Sequence, residues 1–271
     1  MRRVKLGVAY RHPLAAWLAT NPPEVSCLEI TAEHFFDDGA AQLKQLAARY
    51  PLYVHGLGLS LGTPGPLGAL MLKQFARVAE VAQAQWVSEH ISFSRTADVD
   101  LGHLNPVRPD EETLRLFSAH VQELKSACGN RPVILENITT HLTLKGDLSE
   151  TEFLNQLCTR SGCGLLLDVT NLWINSRNHR FDPRAWLREI QPAHIVQLHA
   201  VGYSAPRDDG SRARYQDYHG EAIQPELLDF IGEVLTYAPV QAVILERDAN
   251  LDDTEGIATD LRNLERLCGA A

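Results

Sequence analysis

The stretch "GLLLDV", residues 164–169, decides how the rest of the chain is read. A strand covered on one face alternates apolar and polar residues. Three leucines in succession, closed by an acid, suit a strand buried on both faces, as strands of parallel sheets are. Seven more short runs resemble it: "VKLGVAY" (4–10), "VSCLEI" (25–30), "LYVHG" (52–56), "WVSEH" (86–90), "PVILEN" (132–137), "HIVQLHA" (194–200) and "AVILER" (242–247). Longer amphipathic stretches separate them, such as "LGALMLKQFARVAEVAQ" (67–83) and "DEETLRLFSAHVQELKSACG" (110–129). In the second, Leu114, Phe117, Val121 and Leu124 fall at helical spacing, and Gly129 suits a C-terminal cap. Alternating strands and helices imply a parallel sheet, and eight units predict a (β/α)8 TIM-type barrel. The rival is an open doubly wound sheet. It is weakened because no GxGxxG follows the first run.

The bulk properties agree with one catalytic-sized domain spanning 1–271. The chain has 271 residues, of which 45% are hydrophobic, and shows no low-complexity tract or linker. No run of 18 apolar residues occurs, so no membrane span is expected, and the start "MRRVKLGVAYRHP" lacks the apolar region of a signal peptide. Five scattered cysteines without a CxxC predict reduced thiols in a cytoplasmic protein, with Cys27 and Cys163 in the core. A net charge of −9 argues against nucleic acid as a partner.

In a barrel of this kind the reactive face lies at the C-terminal ends of the strands. Runs three to eight end in His55, His90, Glu136, Asp168 (with Asn171 three residues on), His199 and Glu246 (with Asp248 following). Asp217 and His219 of "YQDYHG" (215–220) come from the loop after the seventh run, and at i and i+2 of an extended segment they aim the same way. A single histidine at a strand end is usually a hydrogen-bonded structural residue, and an acid there can cap the next helix. Four carboxylates converging on one mouth, however, repel each other unless neutralised, and metal cations neutralise them. Nine candidate ligands exceed what one ion takes, so bridging carboxylates and two or three ions are expected. Imidazole and carboxylate donors suit zinc, iron or manganese alike.

Seven motifs carry a family resemblance: "HGLGLSLG" (55–62), "SEH" (88–90), "LENITTHL" (135–142), "GCGLLLDVTNLWINSRN" (162–178), "QLHAVGY" (197–203), "DYHG" (217–220) and "LERDANLDD" (245–253). In this order they resemble the multinuclear non-haem iron-dependent oxidases of the MbnB/TglH type, over roughly residues 5–265. The resemblance implies a xylose-isomerase-like barrel with two to three iron ions and dioxygen as co-substrate. It further implies a substrate that is a cysteine-containing, ribosomally made peptide, and a small companion protein that grips its leader. Hydrogen abstraction at the cysteine β-carbon would lead either to β-carbon excision or to oxazolone/thioamide-type products. The implied metal ligands are His55, His90, Glu136, Asp168, Asn171, His199, Asp217, His219 and Glu246. Glu136 is the bridge between His55/His90 and Asp168/His199/Glu246, and Asn171, Asp217 and His219 hold a third position. Asp248 is a candidate for orienting a ligand or moving a proton, beside the plain reading of a surface or helix-capping Asp. Two departures leave the substrate branch open: Thr170 in "DVTN" stands where the common form has Asn, and "ERDANLDD" replaces an "EWDN"-type ending.

Two other readings remain. Endonuclease IV-like zinc nucleases share the barrel but usually carry His where this chain has Asn171; divalent-metal sugar isomerases lack the "DYHG" pair. Among the other histidines, His34 in "TAEHFF" is a weaker pocket candidate, and His12, His103, His120, His141, His179 and His194 read as surface or supporting residues. "GLGLSLGTPGPLG" (56–68) reads as an entrance loop, and Arg207, Arg212 and Arg214 lie in a solvated loop where they would meet an acidic leader or a terminal carboxylate.

Overall fold

The computed structural model describes residues 4–96, 98–206 and 214–270. Among the described residues there are twelve strands: β1 (Lys5–Ala9), β2 (Cys27–Thr31), β3 (Leu52–His55), β4 (Val87–His90), β5 (Phe93–Arg95), β6 (Asp100–Asn105), β7 (Val133–Glu136), β8 (Gly164–Asp168), β9 (Ile195–Ala200), β10 (Gly202–Ser204), β11 (Gln216–Glu221) and β12 (Ala242–Leu245). Eight of them, β1, β2, β3, β4, β7, β8, β9 and β12, close into a parallel barrel in chain order. All eight apolar runs therefore become barrel strands. The remaining four form two antiparallel hairpins, β5–β6 and β10–β11, which extend from the C-terminal ends of β4 and β9. The alternation in "FSRTADVDLGHLN" and "GYS…QDYHGE" is too short and too polar to have marked them.

The helices are α1 (Ala15–Ala19), α2 (Ala40–Ala47), α3 (Ala69–Val81), α4 (Glu111–Ala127), α5 (Glu150–Ser161), α6 (Val169–His179), α7 (Pro183–Glu189), α8 (Pro225–Tyr237) and α9 (Thr254–Ala270). Helix α4 starts where Asp110 accepts the Thr113 amide at 2.9 Å. It buries Leu114, Phe117, Val121 and Leu124 and stops at Cys128, ahead of Gly129 with φ +67°. Helix α5 starts with a capping box between Ser149 and Glu152, and Gly162 (φ 68°) ends it. A large apolar shell between strands and helices includes Phe75, Phe117 and Phe230, each fully buried. None of the five cysteines forms a disulfide, and Cys27 and Cys163 are buried as expected. Among the described residues, no helix is long and apolar enough to cross a membrane.

Candidate metal centre

The barrel interior is layered. Its floor is apolar: Ala9, Cys27, Tyr53, Trp86, Ile134, Leu166, Ala242 and Ile244 pack together, and the Tyr53 and Trp86 rings stack at 4.1 Å. Above it runs a polar chain that sequence reading missed. Trp86 Nε1 donates to Gln197 Oε1 at 2.7 Å, Gln197 Nε2 donates to Glu29 Oε2 at 2.5 Å, and Glu29 Oε1 lies 2.7 Å from His199 Nε2. The one signal available was the charge inside "VSCLEI", an acid in an otherwise apolar strand.

The strand-end residues form the next layer. His55, His90 and Glu136 bring one donor atom each within 4.8 Å of one another, and so do Glu136, Asp168, His199 and Glu246. Glu136 belongs to both groups. Its Oε2 lies 3.2 Å from His55 Nε2 and 3.4 Å from His90 Nε2, while its Oε1 lies 3.3 Å from His199 Nδ1. The far nitrogens are held by the barrel wall. His55 Nδ1 pairs with Ser88 Oγ at 2.8 Å, and Glu29 takes His199 Nε2, which leaves His199 Nδ1 for the centre. Asp168 is oriented by its helix: Oδ1 caps α6 by accepting the Asn171 amide at 2.7 Å. Asp168 Oδ2, Glu136 Oε2 and His55 Nε2 are buried without a hydrogen bond. Each such orphan costs about 1–3 kcal/mol unless something binds it. Orphaned carboxylate oxygens and an imidazole nitrogen aimed at a common space are the donor set of a metal ion, so the residues fit the group.

The rim differs from expectation. His219 is not in an extended conformation. Its φ is 54°, held there because Asp248 and Ala249 amides both donate to its carbonyl, at 2.8 and 3.1 Å. Beside it, the Gly220 carbonyl accepts from buried Arg247 Nη1 and from Asn250 Nδ2, at 2.9 and 3.0 Å. Asp217 and His219 consequently meet each other, Oδ1 to Nε2 at 2.6 Å, instead of pointing in parallel. The third gathering of donors is His219 with Glu246 and Asp248. Its ion-pair distances from His219 Nδ1 are 3.7 Å to Glu246 and 3.1 Å to Asp248.

Asn171 lies elsewhere in the network. Its Oδ1 accepts from Thr139 Oγ1 and its Nδ2 donates to the Asn137 carbonyl at 3.2 Å. Asn171, Asn175 and His179 follow at four-residue steps along α6, one face of the helix. Asn175 bonds Ile138 O and the Thr140 amide, and His179 Nε2 lies 2.8 Å from Thr140 O. This stripe pins the loop after β7, beside a cavity of about 450 Å³ that Ile91 and Asn137 border next to His90 and Glu136.

The other candidates resolve simply. His34 is exposed and takes no part in any donor group. His120, expected at the surface or in support, is buried and holds Leu61 O and Gly65 O at 2.7 Å each. The glycine-rich loop it grips spends its amides on carboxylates: Leu57 and Gly58 donate to Glu33, and Leu59 to Glu89. Arg214 donates to His141 O at 3.0 Å, and Arg207 and Arg212 lie outside the described residues.

The description "RiPP precursor modification enzyme MbnB/TglH/ChrH" (RiPP, ribosomally synthesised and post-translationally modified peptide) matches residues 5–268. The chain belongs to this family. Its relatives carry a less specific name. A UPF0276 protein of Bordetella pertussis is 33% identical over 260 residues, covering 94% of this chain and 90% of its own. A UPF0276 protein of Chromobacterium violaceum is 29% identical, covering 98% and 95%. Among solved structures, a xylose isomerase domain containing protein from Salmonella typhimurium superposes with a TM-score of 0.64 at 12% identity, covering 100% of this chain and 98% of that one. A Thermus thermophilus protein soaked with ZnCl2 gives 0.58 at 16% identity, covering 99% of each chain. The solved structures share the xylose-isomerase-like fold with this MbnB/TglH/ChrH family member.

In this family member the metal-free centre neutralises itself with protons. Burial alone would lower the His90 imidazolium, but Glu136 and Glu89 outweigh it and push it up from 6.5 to about 9. Burial opposes charge on His199 too, and Glu29, Glu246 and Glu136 raise it well above the usual range. His219 is pushed up to about 12 against its burial, by Glu246, Asp217 and Asp248. Glu246 is held well below the carboxylate range by His199 and His219 despite burial, whereas Asp168 is raised well above it by burial and by the charges of Asp217 and Glu136. A metal ion binding among these residues would therefore displace protons. Calorimetric metal titrations near pH 7 in buffers of different ionisation enthalpy should show proton release, and affinity should rise with pH through 9, where His90 deprotonates, because His219 still holds its proton there. Without metal the sign reverses for stability: the His90 contribution is complete below about 6.5 and is lost as pH rises through about 9.

Proposed function

We propose that this protein is an iron- and dioxygen-dependent oxidase that modifies cysteine residues of a ribosomally synthesised precursor peptide in the cytoplasm, with a separate small protein presenting the leader. The observation that carries the reading is Glu136, a fully buried carboxylate shared between two donor groups of imidazoles and carboxylates inside the barrel of an MbnB/TglH/ChrH family member. Iron held there would supply a coordination position for the substrate thiolate and one-electron chemistry with dioxygen.

The chain's own residues prepare the site. Glu136, His55 and His90 would hold one ion, and Glu136, Asp168, His199 and Glu246 the other, so that the two positions share one carboxylate. Ser88 and Glu29 fix the ring orientation of His55 and His199. The apolar floor closes the barrel beneath, so substrate arrives from the side of the two hairpins. At that side Asp248 accepts from Arg11 and His219, where it can take up or return a proton as the peptide reacts.

The test uses anaerobic protein loaded with iron(II), a cysteine-containing precursor from a neighbouring small reading frame, its companion protein and a measured pulse of dioxygen. Dioxygen uptake should match a mass change confined to the cysteine. An unmodified peptide, together with zinc-loaded protein cutting abasic-site DNA, would replace this reading with the nuclease one.

A further inference from the structure

The three donor groups are not equivalent. The two that share Glu136 are buried throughout, whereas the group of His219, Glu246 and Asp248 reaches the surface through Asp248. That outer group also lies against a guanidinium, held most closely by Asp248, the one carboxylate that no inner group shares. Strand β1 pairs with β12 in the register Val8↔Leu245, which carries Arg11, beyond the end of β1, across to Asp248. Arg11 Nε donates to Asp248 Oδ1 at 2.5 Å, and its Nη2 lies 3.6 Å from Glu246 Oε1. Its Nη1 donates to Tyr10 O at 3.1 Å and Thr31 Oγ1 at 3.4 Å, which ties the guanidinium to the barrel wall. Sequence reading passed over this residue, because an arginine after an apolar run looks like an ordinary surface charge.

A guanidinium stays protonated at any pH the protein meets, and its fork is rigid. It stands where two of the three outer donor residues would turn toward an ion. A divalent cation entering there meets a fixed like charge and carboxylates already paired. Of the inner donors Arg11 reaches Glu246, by the longer of its two carboxylate contacts; among the described residues, Glu136 and Asp168 face no cationic side chain except the histidines of the cluster itself.

We propose that Arg11 is a built-in counter-cation that keeps the outer metal position weaker than the two buried ones, so that the outer ion exchanges while the inner pair is retained. The proposal rests on the metal-cluster reading above. A purely orienting role for Arg11, aiming Asp248 at the ion, makes the opposite prediction, since loss of the arginine would then weaken the outer position.

Anaerobic equilibrium dialysis against iron(II) alone, with iron per chain measured by elemental analysis, separates these cases. Wild type should hold two ions at low free iron and fill the third only at higher concentration. Arg11→Gln puts an amide N–H2 near the place of Nε, so it keeps a donor for Asp248 while removing the charge and the Nη contacts to Tyr10 and Thr31. It should fill the third position at roughly tenfold lower free iron, with a smaller change at the inner position that includes Glu246 and none at the position of His55, His90 and Glu136. Arg11→Lys keeps the charge and should leave the third position weak, which guards against a general loss of structure in the Gln variant. The proposal is overturned if Arg11→Gln leaves the third position unchanged or weaker, or if wild type fills all three together. Wild type that retains no pair of ions overturns the cluster reading itself and the proposal with it.

Discussion

Replacing Glu136 by Gln should empty both buried positions together. The carboxylate is the only residue common to the two inner donor groups, with one oxygen facing His55 and His90 and the other facing His199. An amide keeps the size but offers a single weak oxygen donor and an N–H2 that faces the imidazoles. Iron content should fall below one per chain, and cysteine oxidation should drop by orders of magnitude. The barrel should remain folded, because Glu136 makes no hydrogen bond to the apolar shell. A variant that loses one ion and keeps the other would show that Glu136 serves one position alone.

Metal removal should have the largest effect on stability. The centre buries Glu136, Asp168 and Glu246 together, with Glu29 just beneath, and in the absence of metal imidazolium protons, with the Arg11 guanidinium beside Glu246, are what offsets them. An ion present at a thousand times its dissociation constant stabilises the fold by about 4 kcal/mol. At roughly 2–4 °C per kcal/mol for a chain of this order, chelation of a single ion should lower the melting temperature by about 10 °C, and of the pair by more. The shift should grow from pH 6 to pH 9 as the protons of His90 cease to substitute for metal. Glu136→Gln should abolish most of the difference between metal-loaded and chelated samples. Superposable melting curves for loaded and chelated wild type would rule out a shared buried centre.

The barrel and the donor residues gathered at its strand ends were legible in the sequence for one physical reason. Burial on both faces makes each parallel strand a short apolar run, and a polar residue can end such a run only where the strand meets a polar space. His55, His90, Glu136 and Asp168 are the last residues of β3, β4, β7 and β8, so strand boundaries and candidate ligands were read together. The glycine after α4 and the apolar spacing within it were equally local.

What depended on contacts between strands and loops far apart in the chain was decided by the tertiary structure alone. Glu29, in β2, supports His199, in β9, from the opposite half of the sequence, and Gln197 links it to Trp86. Arg11 reaches Asp248 only because β1 closes the barrel against β12. The left-handed turn at His219 comes from amides of residues 248 and 249, which no rule of alternation within "YQDYHG" can supply. Asn171 was a candidate ligand through the family resemblance; that its carboxamide bonds Thr139 and Asn137 on the facing loop only the closed fold shows. Local sequence determines which residues end each strand, because that follows from burial along one chain segment. Which partner each polar atom takes follows from closure of the barrel, because hydrogen bonds and ion pairs act over about 3 Å between segments that only the closed fold brings together.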